Sequence, residues 1–263
     1  MPLNYQTLLY NPINSQVLSI SLKRPPAANA LNTQMALELI DVFSYISEKN
    51  NTFRAVILSG TGKHFCAGAD LKERLGMNEA AWKSQHQTFR EARDALLYCP
   101  VPVIAAVHGA VYAGGLELAL ACDFIYAGDD TRFALTEATL GIMPGMGGTQ
   151  TLSRAIGTRR AREIIYSGKP FSAHDAYEWG MVNHLCASEA VLEKAIACAQ
   201  TIADNAPLSI SAIKGAIARG EGLPLENALQ GELTAYDSLL NTKDRYEGIA
   251  AFNEKRKAIF TGE

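Results

Sequence analysis

Two glutamates, Glu117 and Glu137, each stand beside a glycine-rich loop in an apolar setting. Glu117 follows Ala113-Gly114-Gly115-Leu116, and Glu137 follows Phe133-Ala134-Leu135-Thr136. A pair of carboxylates can hold a water molecule and exchange protons with it, one group as base and the other as acid. Burial would raise both pKa values toward the working range. Structural roles stay open for each: Glu117 as a complement to a helix dipole, and Glu137 as a helix cap or ion-pair partner near Thr136. A third element is the small-residue run Phe65-Cys66-Ala67-Gly68-Ala69-Asp70. Side chains this small let a ligand lie against the backbone. If the loops meet, the N–H groups of Ala67 and Gly114 could converge on one carbonyl oxygen and form an oxyanion hole. The alternative is a tight turn closed by Asp70 as a helix cap. His64, His108, His174 and His184 share no spacing, so a histidine-based hydrolase is unsupported.

These residues need strands and helices to carry them. Residues 101–107 form an apolar run, residues 108–115 a loop, and residues 116–122 a small-residue helix. That order aims helix N-terminal N–H groups above a sheet. Residues 6–22 fit two strands around a turn at Asn11-Pro12-Ile13-Asn14. Asn32 can cap a helix whose apolar face is Met35, Leu39, Val42, Phe43 and Ile46. Residues 55–60 read as a buried strand, followed by a Gly/Ala loop and a polar helical region reaching Tyr98. The unit of strand, glycine-rich loop and helix recurs at about 17–46, 55–80, 101–122 and 124–156, which collects the loops on one face of a stacked sheet. From Ala161 onward the pattern is mostly helical, with Ser172 and Asp175 at an N-cap and helices over 188–205, 208–219, 224–240 and 243–257. The apolar faces of the last helices, including Leu225, Leu229, Leu233 and Tyr236, need a partner in this subunit or another.

Composition narrows the classes. The chain has 263 residues, 48% hydrophobic and 19% charged, as in an ordinary globular protein. A net charge of −3 argues against a general nucleic-acid binder, though not against a small anionic ligand. The five cysteines (Cys66, Cys99, Cys122, Cys186 and Cys198) are scattered and form no metal-spaced cluster. No metal site is expected, and a reducing compartment is. The first residues carry no basic leader and nothing reaches transmembrane length, so a cytoplasmic location is expected. A mature organellar matrix protein would look the same.

Taken together, Phe65–Leu71, Ala113–Ala119, Cys122-Asp123, residues 140–150 and the C-terminal Asp244-Arg245-Tyr246-Glu247-Gly248 with Phe252-Asn253-Glu254-Lys255-Arg256 resemble the crotonase, or enoyl-CoA hydratase/isomerase, superfamily over nearly the whole chain. The resemblance implies an α/β fold: a ClpP-like spiral of repeated β-β-α units over about 1–200, with a C-terminal helical oligomerisation region over 201–263. It implies homotrimers, often paired into hexamers. It implies a coenzyme A thioester as substrate and an enolate as the stabilised species. The Ala67 and Gly114 N–H groups would hold the thioester oxygen. Ala28, Ala67, Gly68, Ala69, Asp70 and Leu71 would meet CoA, with Phe252 and Lys255 reaching the CoA of a neighbouring subunit. Glu117 and Glu137 match the two acids of hydratases, and Gly145 the residue whose N–H helps hold the water.

Both acids being present resembles hydratases that add water syn across the α,β double bond. Isomerases of the family generally keep one. An isomerase, another acyl-CoA dehydratase and a non-catalytic CoA-binding scaffold are the alternatives. Residues 65–74 and 115–123 are especially similar to methylglutaconyl-CoA hydratases, whose animal members also bind RNA. The corresponding segment near 45–60 has only Lys49 and Arg54 against Glu48 over residues 45–54, so no nucleic acid is expected. There are three departures from the family pattern: Tyr112-Ala113 replaces Leu-Gly, Pro26 stands where a lysine is common, and Met146 replaces a small residue beside the expected water.

Overall fold

A computed structural model describes residues 4–48 and 52–263; Lys49 of the basic segment considered above lies outside them. The strands are β1 (Leu8–Pro12), β2 (Val17–Leu22), β3 (Ala55–Gly60), β4 (Val103–Val107), β5 (Ala110–Tyr112), β6 (Phe124–Gly128), β7 (Arg132–Ala134), β8 (Phe171–Ser172) and β9 (His184–Cys186). The helices are α1 (Thr33–Ile46), α2 (Leu71–Arg74), α3 (Glu79–Leu97), α4 (Gly114–Ala121), α5 (Gly148–Ile156), α6 (Thr158–Ser167), α7 (Ala173–Glu178), α8 (Val191–Ala203), α9 (Pro207–Gly220), α10 (Leu225–Asp237) and α11 (Lys243–Glu254).

The main sheet runs β1-β2-β3-β4-β6-β9, antiparallel only at β1–β2, and a small sheet runs β5-β7-β8. Strands buried on both faces read as continuous apolar runs, and β3 and β4 do. Alternate residues sort to opposite sides. Val56, Leu58, Val103, Ala105 and Val107 enter the large core with α1, α3 and α4, whereas Ala55, Ile57, Ile104 and Ala106 meet Val191, Ala195, Ala199 and Ala203 of α8. The expected repeat is present. The chain steps from the main sheet to the small one and into a helix in β4–β5–α4 and β6–β7–α5, while the turn after β3 enters the small sheet through a single bridge, Cys66 to Val111.

Several expectations shift. The turn expected at residues 11–14 moves on, because β1 continues to Pro12, paired with Leu18. The loop over 108–115 contains β5, and the next helix starts at Gly114 rather than Leu116. The polar helical region divides into α2 and α3, separated by Gly76 at φ 81° and by Asn78, whose side chain accepts from Ala81 N–H as the N-cap of α3. The mostly helical stretch after Ala161 contains β8 and β9, too short to carry a period of their own. Other local signals hold. Asn32 accepts from Met35 N–H, and Ser172 with Asp175 forms a complete capping box.

The bridge between Cys66 and Val111, with Tyr112 N–H donating to the Cys66 carbonyl, brings the Ala67–Asp70 segment beside the entrance to α4. Gly68 sits there at φ 101°, and a Cβ on it would lie 2.8 Å from the Ala113 Cβ. Gly68→Ala is therefore expected to cost about 2–3 kcal/mol of stability. Denaturant titration against wild type checks this; a change below measurement error would mean the two loops part freely.

Candidate active site

Glu117 lies in the first turn of α4 and is buried. Its Oε1 accepts two backbone N–H groups, from Met146 at 2.7 Å and Gly148 at 2.8 Å. Both donors belong to the entry to α5, where helix N–H groups have no partner of their own and the dipole favours an anion. Gly148 must be small: a Cβ there would lie 3.0 Å from Glu117 Cγ. Burial pushes the Glu117 pKa up, and the Gly148 and Met146 N–H groups, with Arg93 and His86 nearby, oppose that rise.

The loop is held from outside by α3. His86 Nε2 lies 2.9 Å from the Gly145 carbonyl, and Arg93 donates to the Met146 carbonyl at 3.1 Å. A carbonyl only accepts, so His86 Nε2 carries the proton in this contact. With its carbonyls turned toward α3, the loop presents its N–H groups to Glu117. The Gly145 N–H has no acceptor among the described residues.

Glu137 opens a 3-10 turn over Glu137–Leu140 and is also buried. It caps nothing and pairs with no cation among the described residues. Its Oε2 is buried without a hydrogen-bond partner. Burial, with a smaller contribution from the Glu117 charge, raises its pKa from 4.5 to about 7. The two carboxyls are thus set apart by their surroundings, one with two N–H donors on a single oxygen and the other with a buried oxygen that has none.

Both line one cavity of about 630 Å³, together with Ala67, Ala69, Leu71, Arg74, Trp82, His86, Gly114, Gly145 and Met146. The expectation for Ala67 is corrected here. Its N–H donates to the Ala28 carbonyl at 3.0 Å. The free donor in this strand is Ala69. In the bridge to Leu31, the Gly68 carbonyl and Asp70 N–H face Leu31, which turns the Ala69 N–H the other way. A Cβ on Gly114 would lie 3.8 Å from Ala69 N, so these two backbones adjoin. Neither the Ala69 nor the Gly114 N–H has an acceptor among the described residues.

A profile of the enoyl-CoA hydratase/isomerase family matches residues 12–263. The chain belongs to the enoyl-CoA hydratase/isomerase family. YngF of Bacillus subtilis, named for hydratase and isomerase together, is 42% identical over 257 residues, covering 97% of this chain and 98% of that protein. The 2,3-dehydroadipyl-CoA hydratase of Escherichia coli is 37% identical, covering 94% of this chain and 96% of its own. An enoyl-CoA hydratase structure from Bacillus anthracis superposes with a TM-score of 0.95 at 44% identity, covering 98% of this chain and all of that one. The spiral is therefore the crotonase fold expected from the sequence.

The cavity gathers Glu117, Glu137, Gly114, Gly145, Ala67, Ala69 and Leu71 of the expected residues. Ala28, Gly68 and Asp70 stand outside its lining. Ala28 holds Ala67, and Asp70 caps α2 while pairing with Arg24 at 2.8 Å. Phe252, 84% exposed, and Lys255, the C-cap of α11, are also away from it. Sequence reasoning missed His86, Arg93, Arg74 and Trp82. His86 and Arg93 are seven residues apart and so share a helix face, but nothing in α3 names a loop more than fifty residues away as their target.

Two outcomes follow. His86→Ala is expected to lower turnover on the order of 10- to 100-fold by loosening the loop. Glu117 then loses donors and its pKa rises, so the acid limb of the pH–rate profile moves to higher pH; His86→Gln, which keeps a donor, restores most of both. An unmoved limb would assign His86 to packing alone. For Glu137, the pKa is raised on folding, so the folded state binds more protons than the unfolded state between about 4.5 and 7. Its contribution to stability therefore falls as pH rises through that window. Glu137→Gln should gain on wild type from pH 4 to 8 in denaturation midpoint, and a constant gap would contradict the raised pKa.

Proposed function

We propose that the protein is an enoyl-CoA hydratase, adding water syn across the α,β double bond of an enoyl-CoA thioester. The observation that carries this reading is the unequal carboxyl pair on a cavity that also offers two free backbone N–H groups. The thioester oxygen takes the Ala69 and Gly114 N–H groups, which are fixed before the reaction and are stronger donors in a dry site. Water rests between Glu117, Glu137 and the Gly145 N–H. Glu117 takes a proton from the water as the hydroxyl oxygen bonds to C3. The C2–C3 π electrons move onto the thioester oxygen as an enolate. Glu137, protonated up to about pH 7, delivers a proton to C2, and exchange with solvent resets both acids. No cofactor is needed beyond the CoA carried by the substrate.

CoA runs along Ala28 and residues 67–71. Phe252 and Lys255 extend from a neighbouring subunit, which places them usefully although they lie away from this chain's own cavity. Oligomerisation through the 201–263 helices, as a trimer or a pair of trimers, accounts for Ile213, Ile217, Leu225 and Leu233, each more than half exposed. No helix among the described residues is long and apolar enough to cross a membrane, and the reading is of a cytoplasmic enzyme that acts on acyl-CoA and not on nucleic acid.

The relatives' names include isomerases, and the two reactions separate on Glu137. Loss of enoyl-thioester absorbance from crotonyl-CoA is expected for wild type. Both Glu117→Gln and Glu137→Gln should lower kcat by about 10²- to 10⁴-fold. The wild-type rate should fall as pH rises through about 7, where Glu137 loses its proton. Double-bond migration that survives Glu137→Gln but not Glu117→Gln would assign one-acid isomerase chemistry instead.

A further inference from the structure

One wall of the cavity carries two arginines that the mechanism above does not use. Arg74 and Arg90 line it from α2 and α3. Arg74 is the more constrained of the two. Its guanidinium lies over the Trp82 ring at 4.3 Å and near the Phe89 ring at 5.3 Å. Its Nε donates to Gln85 Oε1 at 2.8 Å. Gln85 is itself buried and fixed, because its Nε2 donates to Thr33 Oγ1 and to Glu73 Oε2.

This guanidinium is held in place without a direct ion pair. The adjacent carboxylate, Glu73, is occupied by the Thr33 N–H and by Gln85. No carboxylate among the described residues is within ion-pair distance of Arg74, and neither of its Nη atoms has an acceptor there. Burial holds its pKa below the usual arginine value, with the Glu73 and Glu117 charges opposing that shift. A half-buried guanidinium with no ion pair, its Nε pinned and both Nη atoms free, has the fork that receives a carboxylate side-on. Neither acid in the cavity bonds to it, although the Glu117 charge acts on it from a distance. Glu117 Oε1 is satisfied by two N–H groups, and Glu137 holds its proton to near neutrality.

We infer that Arg74 is the receiving group of an anionic subsite, and that the preferred substrates are short enoyl-CoA thioesters bearing a carboxylate at the far end of the acyl chain. The aromatic pair orients the fork, Gln85 fixes its register, and Arg90 adds a second positive charge at the exposed margin. This inference rests on reading the cavity as the acyl site. The same fork could instead meet a CoA phosphate, so the source of the anion must be distinguished.

The test compares wild type, Arg74→Met and Arg74→Lys on crotonyl-CoA and on the five- and six-carbon ω-carboxy-2-enoyl-CoA thioesters. Calorimetry on CoA, butyryl-CoA and the saturated five-carbon ω-carboxy thioester runs beside it. Wild type is expected to favour the carboxylated chain at least tenfold, in kcat/KM and in Kd. In Arg74→Met that ratio should fall to near or below one, and Arg74→Lys, a point charge without the fork, should lie between. Wild-type preference for the uncharged chain would overturn the inference, whatever the variants do. So would equal weakening of CoA and both thioesters in Arg74→Met, which assigns the fork to phosphate. If no thioester is hydrated but the calorimetric preference and its loss persist, the hydratase reading fails and the subsite stands.

Discussion

The bond pair from Met146 and Gly148 N–H to Glu117 Oε1 is the constraint around which the site is arranged. A buried carboxylate is expensive unless fixed dipoles replace its water. Here the dipoles come from a segment distant in sequence, so the loop before α5 must lie directly over the first turn of α4. That requirement reaches outward. The loop can face Glu117 only if its carbonyls face away, and His86 and Arg93 receive them. Close approach excludes a side chain at Gly148. α3 therefore does two things: its apolar side closes the large core through Phe89, Ala92 and Leu96, and its polar side sets the direction of the loop's peptide planes.

The second acid gains its character from what is withheld. Glu137 is as buried as Glu117 to within a few per cent, yet no N–H reaches its Oε2. The N–H groups on Glu117 oppose the rise that burial causes there, while at Glu137 the Glu117 charge adds to it. An unsatisfied buried oxygen costs stability, and that cost is what a proton donor at neutral pH requires. The same trade occurs at Ala113, which holds φ 48° and ψ −124° although it is not a glycine. Strain of this kind costs on the order of 1–3 kcal/mol and persists only where the surroundings enforce it. Here the Ala113 N–H is tied to the Ala134 carbonyl, and β5 is paired to β7.

Much of this is legible in the sequence. The strand runs at 55–60 and 103–107 gave themselves away because both faces are buried, and Asn32 and Ser172 because a cap is a local hydrogen bond. The two acids stood out by contrast with their apolar neighbours. What stayed hidden depends on register and on distance. Whether Ala67 or Ala69 supplies the free N–H depends on Gly68, whose φ of 101° breaks the alternation that would turn both N–H groups to one side. The break between α2 and α3 was masked by a polar composition that suits a helix throughout. β5 and β8 have three and two residues, too few to show alternation.

The strained turn also explains why the small-residue run has the sequence it has. Ala113 carries a Cβ where the family pattern has glycine, and a Cβ on Gly68 would stand 2.8 Å from it. Only one of the two facing positions can bear a side chain, so the glycine on the Ala69 strand and the alanine at the entrance to α4 form a matched pair. Their packing sets the spacing between Ala69 N and the Gly114 backbone. Once the strain has fixed the entry angle of α4, the Gly114 N–H cannot turn away from Ala69 without moving Glu117 off its two donors, because Gly114 and Glu117 ride on the same first turn. The donors for a thioester oxygen and the base for its water are therefore one rigid unit, and a change that disturbs either is felt by both.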